Sequence, residues 1–180
     1  DLTPEDAWNK EIGFDFNSKY FHFSSTAYTL NILDMILWQR KDNGNWMPNN
    51  ISQVWSRGAE VKLKFKTKNL SIDGNYAYTK STNELPNNKL DNTVGKQLRY
   101  VPFHKGNVSF TITEDNLQFK LNKSYTGEVI TTYGSLKNNI IDGFFLTDVS
   151  VIYNLDKLPF TIFAKVRNFM NRTYTTYQNY

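Results

Sequence analysis

The chain has 180 residues, of which 39% are apolar and 16% aromatic, with no cysteine and a formal net charge of +4. The length suits one domain, and the missing cysteine removes disulfides, cysteine metal sites and cysteine nucleophiles. No apolar run of about 18 residues is present, so a membrane-spanning helix is excluded, whereas membrane-spanning strands, which alternate and average out to a polar composition, are not.

Alternation with a period of two predicts eight strands. The first covers 7–16, with Trp8, Ile12, Phe14 and Phe16 on one face and Asn9, Glu11 and Asp15 on the other. The second, 20–38, is longer and less cleanly patterned. The third runs from about 54 to 66, where Val61, Leu63 and Phe65 alternate with lysines. The fourth, 70–79, sets Leu70, Ile72, Tyr76 and Tyr78 against Ser71, Asp73, Asn75 and Thr79. The fifth, 104–113, opposes Val108, Phe110 and Ile112 to Asn107, Ser109, Thr111 and Thr113. The sixth, 117–126, opposes Leu117, Phe119, Leu121 and Tyr125 to Gln118, Lys120, Asn122 and Ser124. The seventh, 144–153, carries Phe145, Val149, Val151 and Tyr153 on one side, and the eighth, 160–169, carries Phe160, Ile162, Ala164 and Val166. No stretch keeps a helical period for three turns, and neither an internal repeat nor a domain boundary is visible.

The connections alternate in length. Residues 17–19, 67–69, 114–116 and 154–159 are short and have turn chemistry. Residues 39–53, 81–103 and 127–143 are expected to be long loops rich in Asn, Gly and Pro. A soluble sandwich has no reason to alternate in this way, whereas an outer-membrane barrel does, with tight turns on the periplasmic side and long loops outside. Its apolar faces would meet lipid, its polar faces would line a wet lumen, and rings near strand ends (Trp8, Phe16, Tyr78, Tyr125, Tyr153) would form interfacial girdles.

Little in the chain suggests covalent chemistry. The only histidines, His22 and His104, are far apart, and Asp148 and Ser150 share a strand face without a well-placed histidine. No Gly-rich loop precedes a helix, so no nucleotide cradle is expected. Lys62, Lys64, Lys66 and Lys68 occupy alternate positions and form one wet face, with the aromatics on the other, which argues against nucleic-acid binding. An enzyme is not expected, and no cofactor or metal is implied.

Several segments resemble, in order, the barrel motifs of TonB-dependent outer-membrane receptors. They are Leu2-Thr3-Pro4-Glu5 with Trp8, Glu11, Ile12 and Gly13; Thr26-Ala27-Tyr28 leading to Ile32-Leu33-Asp34-Met35-Ile36; and Gly58-Ala59-Glu60. Further on come Gly95-Lys96-Gln97-Leu98-Arg99-Tyr100-Val101-Pro102 with His104, Lys105 and Asn107; the segment from Asp142 to Ser150; and Val166-Arg167-Asn168-Phe169-Met170-Asn171-Arg172-Thr173-Tyr174. The resemblance implies an all-β fold: about eight antiparallel up-and-down transmembrane strands, roughly strands 14 to 21, of a barrel of about 22. Residues 1–180 would be a C-terminal portion of that barrel, without the plug and the final strand. The implied setting is the outer membrane of a Gram-negative bacterium. The implied partners are the rest of the barrel and its plug, the TonB complex acting through an N-terminal region, outer-membrane lipid and a small-molecule ligand, with room for a surface lipoprotein on the loops. The implied function is energy-dependent uptake of a scarce, bulky nutrient, with the siderophore, haem and cobalamin class favoured by the form of the Gly95–Pro102 segment. Ligand contacts on this chain would be Trp38, Arg40 and Trp46 in the first long loop, Arg99 and Tyr100 after the second, and Tyr133 in the third, because aromatic rings and Arg are favoured anchors. The alternative is a self-contained eight-stranded barrel binding a small ligand, in which the first strand pairs with the eighth.

Overall fold

The structure, a computed structural model, describes residues 2–40, 44–86, 91–133, 140–156 and 158–177. Its strands are β1 (Asp6–Asn17), β2 (Phe21–Arg40), β3 (Trp46–Lys66), β4 (Leu70–Asn83), β5 (His104–Glu114), β6 (Leu117–Thr126), β7 (Val129–Ile130), β8 (Ile140–Ile141), β9 (Phe144–Asn154) and β10 (Thr161–Val166). Eight of them form one antiparallel sheet in the order β1-β2-β3-β4-β5-β6-β9-β10, while β7 and β8 make a separate two-stranded ladder. All eight expected strands are present. The sheet order ends at β1 on one side and β10 on the other, and these two strands do not pair, which overturns the self-contained eight-stranded barrel.

Register explains the two faces. Directly paired residues point the same way, so the ladders can be read as rows. Phe14 lies opposite Ser25, followed by Val61, Tyr76, Gly106, Tyr125 and Phe145. The neighbouring row runs Phe16, Phe23, Leu63, Gly74, Val108. On the reverse face, Asn17, His22, Lys64, Asp73, Ser109, Asn122 and Asp148 form one row through seven strands. Contacts run along it: His22 Nδ1 to Asn17 Oδ1, Lys64 Nζ to Asp73 Oδ1 at 3.6 Å and Ser109 Oγ donating to Asn122 Oδ1 at 2.8 Å. Ile152 and Phe163, paired with each other, are apolar exceptions on this polar side.

There is almost no conventional core. Among the described residues only Val54, Pro102 and Ile141 are buried apolar side chains, while Ile12, Phe14, Phe110, Phe119 and Ile162 stand exposed. A domain normally buries its apolar faces between two layers, and this sheet is a single layer whose apolar face has no cover.

Two expectations about the connections change. Residues 39–53 were expected to be a loop, but β2 and β3 pair up to Arg40 opposite Trp46, leaving only residues 41–45 between them. Backbone pairing needs no apolar alternation, so the Asn-rich segment joins a ladder its composition does not announce. Pro48 is tolerated because β4 pairs with β3 only as far as Val54, leaving the strand beyond with one neighbour. The last strand also ends early, at Val166 instead of 169. Asn168 adopts φ 49°, and the Phe169 N–H is held by Thr147 O at 2.6 Å.

Gly58 has a definite packing reason. On the polar face Tyr28 lies opposite Gly58 and reaches across it to Thr79, with the two hydroxyl oxygens 3.0 Å apart. A Cβ on Gly58 would stand 2.2 Å from Tyr78 O and 2.8 Å from the Tyr28 hydroxyl. At Gly74 the nearest atom would be 3.8 Å away. Gly58→Ala is expected to destabilise the full-length protein by about 1–3 kcal/mol, measured by urea denaturation in lipid vesicles. Gly74→Ala should be neutral to within about 1 kcal/mol. Equal effects at the two positions would refute this packing account.

Candidate functional site

The six residues expected to touch ligand fall into two groups, both at the end of the sheet away from the short turns. Trp38, Arg40 and Trp46 lie on strands, at the tip of the β2–β3 hairpin, with Trp38 opposite Pro48 and Arg40 opposite Trp46. The tip extends residues 46–53 beyond the last β3–β4 pair, roughly 26 Å at strand rise. Trp38 and Trp46 are both exposed.

Arg99, Tyr100 and Tyr133 do come together. Residues 91–103, in the connection between β4 and β5, fold back over the β3–β4 end through bridges from Thr82 to Gln97 and from Asn83 to Val94. Gln97, 4% exposed, is the hub. Its Oε1 accepts the Ser81 N–H at 2.8 Å, and its Nε2 donates to Thr79 O at 3.3 Å and Val101 O at 3.1 Å. Its main-chain carbonyl accepts the Tyr133 hydroxyl at 2.8 Å. The Leu98 N–H is held by Ser81 O at 2.7 Å and the Tyr100 N–H by Ile130 O at 2.9 Å. Tyr100 takes φ 60°, an uncommon conformation for a ring-bearing residue, and its ring stacks on Tyr177 at 5.7 Å. The Arg99 guanidinium and Lys96 ammonium lie 5.9 and 5.8 Å from the Tyr133 ring centre. Burial raises the Tyr133 hydroxyl pKa above the usual tyrosine value, and the nearby Arg99 charge opposes that shift. Tyr133 therefore keeps its proton at neutral pH and acts as a donor.

Gln97 was missing from the expected contacts. The only signal for it in the sequence was its place in the Gly95–Pro102 segment, because a buried amide on a loop leaves no periodic trace.

A second polar constellation lies on the sheet face itself. Asn107 and Ser109 both donate to Asn122 Oδ1 at 2.8 Å. Lys165 Nζ stands 3.6 Å from Asp148 Oδ2, and the Asn168 N–H donates to Asp148 Oδ1 at 3.0 Å. Asn122, Asp148 and Lys165, with Lys120 and Ser150, line an open cleft of about 370 Å³. The arrangement can hydrogen-bond and pair charges. His104, opposite Tyr78, lies on the other sheet face, and His22, opposite Lys64, shares the face of Asp148 but stands five strands away along the row, so neither serves Asp148 and Ser150. Among the described residues no three His, Cys, Asp or Glu side chains are placed to hold a metal.

A family model described as "TonB dependent receptor-like, beta-barrel" matches residues 1–169. The chain is 27% identical to the vitamin B12 transporter BtuB of Photobacterium profundum, over 99% of this chain and 28% of that protein. It therefore spans a little over a quarter of the curated relative. In three dimensions it is similar to the ferric yersiniabactin uptake receptor FyuA of Yersinia pestis, with a TM-score of 0.73, 18% identity, and coverage of 97% of this chain and 27% of that one. It is also similar to the unliganded ferric citrate transporter FecA, with a TM-score of 0.76, 19% identity, and coverage of 95% and 27%.

Gln97→Leu is expected to leave the sheet intact and to loosen the connection above it. Removing a buried amide that satisfies three main-chain groups costs about 1–3 kcal/mol, so amide exchange at Leu98 and Tyr100 should accelerate about 10- to 100-fold. Unchanged exchange there would remove Gln97 from its central place. Because the Tyr133 pKa is raised on folding, its contribution is complete below the unfolded value of about 10 and fades as pH rises through the folded one. Relative to their intrinsic exchange at each pH, the same amides should therefore lose protection above about pH 10 in the native protein, and Tyr133→Phe should abolish that loss.

Proposed function

The chain belongs to the TonB-dependent receptor β-barrels, and from that premise we propose that it supplies wall and loops to an outer-membrane receptor for energy-dependent uptake of a scarce, bulky nutrient. The observation that carries the reading is the two-sided sheet: rows of apolar side chains on one face, through eight strands, and a continuous polar row on the other. Lipid supplies the cover that the apolar face lacks, and a water-filled lumen suits Asn107, Asn122, Asp148 and Lys165. The open edges of β1 and β10 continue into further strands of the same barrel, as main-chain groups in a membrane require. Residues 1–180 are then a C-terminal portion of a barrel of about 22 strands, placed in the outer membrane of a Gram-negative bacterium and closed by a plug that answers to the TonB complex.

Ligand is captured on the side of the long connections. Arg99, Tyr100 and Tyr133 form a fixed aromatic and cationic platform there, and Trp38, Arg40 and Trp46 provide a projecting arm. The relatives' named cargoes are vitamin B12, ferric yersiniabactin and ferric citrate. That support favours a chelated metal or cobalamin for this receptor, with siderophore, haem and cobalamin as the classes to screen. No covalent step is assigned to the chain.

The test uses the full-length parent protein. It should fractionate with outer membranes and migrate as a compact species that boiling unfolds. In a receptor-deficient host it should restore growth on one of three supplied nutrients (cyanocobalamin, haemin or a ferric catecholate), and only while the TonB complex is intact. Arg99→Ala with Tyr133→Ala should lower that uptake by about 10-fold or more, in the range of hot-spot truncations. A soluble parent, or growth independent of the TonB complex, would overturn the reading.

A further inference from the structure

The apolar face carries a feature that barrel geometry alone does not require. Lys10 lies directly opposite Thr29, Thr29 opposite Arg57, and Arg57 opposite Lys80. These four residues of β1 to β4 therefore form a single row on the same face as the apolar band. Immediately below, on the short-turn side, are Ile12, Ala27, Ala59 and Tyr78, and then Phe14, Ser25, Val61 and Tyr76. Immediately above is the row Trp8, Asn31, Trp55, Thr82. Three cations thus stand in line at the edge of an apolar surface, toward the long connections.

Two of the three cations are held in place. Lys10 Nζ sits 5.0 Å from the Trp8 ring centre and the Arg57 guanidinium 3.8 Å from that of Trp55. Trp55 Nε1–H donates to Thr29 Oγ1 at 2.6 Å. Arg57 is also 3.8 Å from Glu84 Oε1 and donates to Thr82 Oγ1 at 3.2 Å. Lys10 and Lys80 face no carboxylate within ion-pair distance among the described residues, so the row keeps an excess of two positive charges. Three strand spacings separate Lys10 from Lys80, roughly 14 Å, enough for a headgroup wider than one phosphate.

We propose that this row binds the phosphate-bearing headgroup of an anionic lipid, whose acyl chains run down the apolar rows beneath it. The inference rests on the reading that this face meets lipid, and it adds that the lipid is selected by charge. Two independent features select the occupant. Cations and a hydroxyl in line suit phosphate oxygens, while the adjoining apolar rows suit hydrocarbon, and only an amphiphile satisfies both. An acidic protein segment would meet the cations and leave the rows below uncovered.

The experiment uses the full-length parent in delipidated non-ionic detergent micelles, titrated with dioleoyl phosphatidic acid, dioleoyl phosphatidylcholine or inorganic phosphate, and read by the rise in unfolding temperature. Phosphatidic acid should protect, and the other two should not. Lys10→Gln with Lys80→Gln, which touches no ion pair, should weaken that protection by about 30-fold, from about 1 kcal/mol per cation at an anionic surface. Adding Arg57→Gln should weaken it further. Lys62→Gln with Lys64→Gln, on the opposite face, should leave it unchanged. Equal protection of wild type and the Lys10/Lys80 variant, protection by phosphatidylcholine, or protection by free phosphate alone would each overturn the proposal. In all of these cases a parent that still migrates as a boiling-sensitive barrel leaves the membrane reading standing, whereas a parent lacking that mobility in every variant refutes the membrane reading itself.

Discussion

A single sheet satisfies its main chain laterally and leaves its apolar side chains without a partner layer. Each strand between β1 and β10 gives its N–H and C=O groups to two neighbours, so the ladder satisfies its own polar groups wherever it is paired. Its apolar face has nothing of its own to lie against, and exposing Ile12, Phe14, Phe110 and Ile162 to water forfeits about 25 cal/mol for each Å² left uncovered. Everything else in the structure follows from that mismatch. On the proposed reading, a non-aqueous neighbour covers that face and further strands take up the edges of β1 and β10.

Register then takes the place that a packed core holds elsewhere. The turn after β1 has Ser18 bound to Phe21 O, and the turn after β3 has the Thr67 N–H bound to Leu70 O. Each turn sets its hairpin, and a slip of one residue would send the whole apolar set to the wet side. Because register is held strand by strand, residues distant in sequence line up into rows. The polar row from Asn17 to Asp148 and the cationic row of Lys10, Arg57 and Lys80 are both products of this alignment.

The long connections obey a different rule. They leave the sheet and must satisfy their main chain with side chains, which is why one buried amide, Gln97, gathers three strand and loop groups while its own carbonyl takes the Tyr133 hydroxyl. Arg99, Tyr100 and Tyr133 can converge only because that hub holds residues 91–103 against the β3–β4 end. The β2–β3 tip is held differently, by its paired backbone and by the Asn50 amide, which accepts the Thr3 N–H and donates to Thr3 O and Asp34 O. On the proposed reading, the contrast separates a fixed platform from a projecting arm, which would meet ligand at different costs of ordering.

The sequence by itself determined the eight strands, their two faces and the short turns. A two-residue period and turn-forming residues are local signals, and a strand in a one-layer sheet obeys local signals more faithfully than one in a packed core. The ordered motifs from Leu2 to Tyr174 were equally legible, because the family's strand entries carry them in short, contiguous stretches. Tertiary structure alone decided the rest. Residues 46–53 became strand because β2 was there to pair with them, although their composition reads as loop. Gln97 became a hub because Ser81, Thr79 and Val101 surround it. Lys10, Arg57 and Lys80 became neighbours because three ladders share one register, and no single strand contains the information that fixes it against the next.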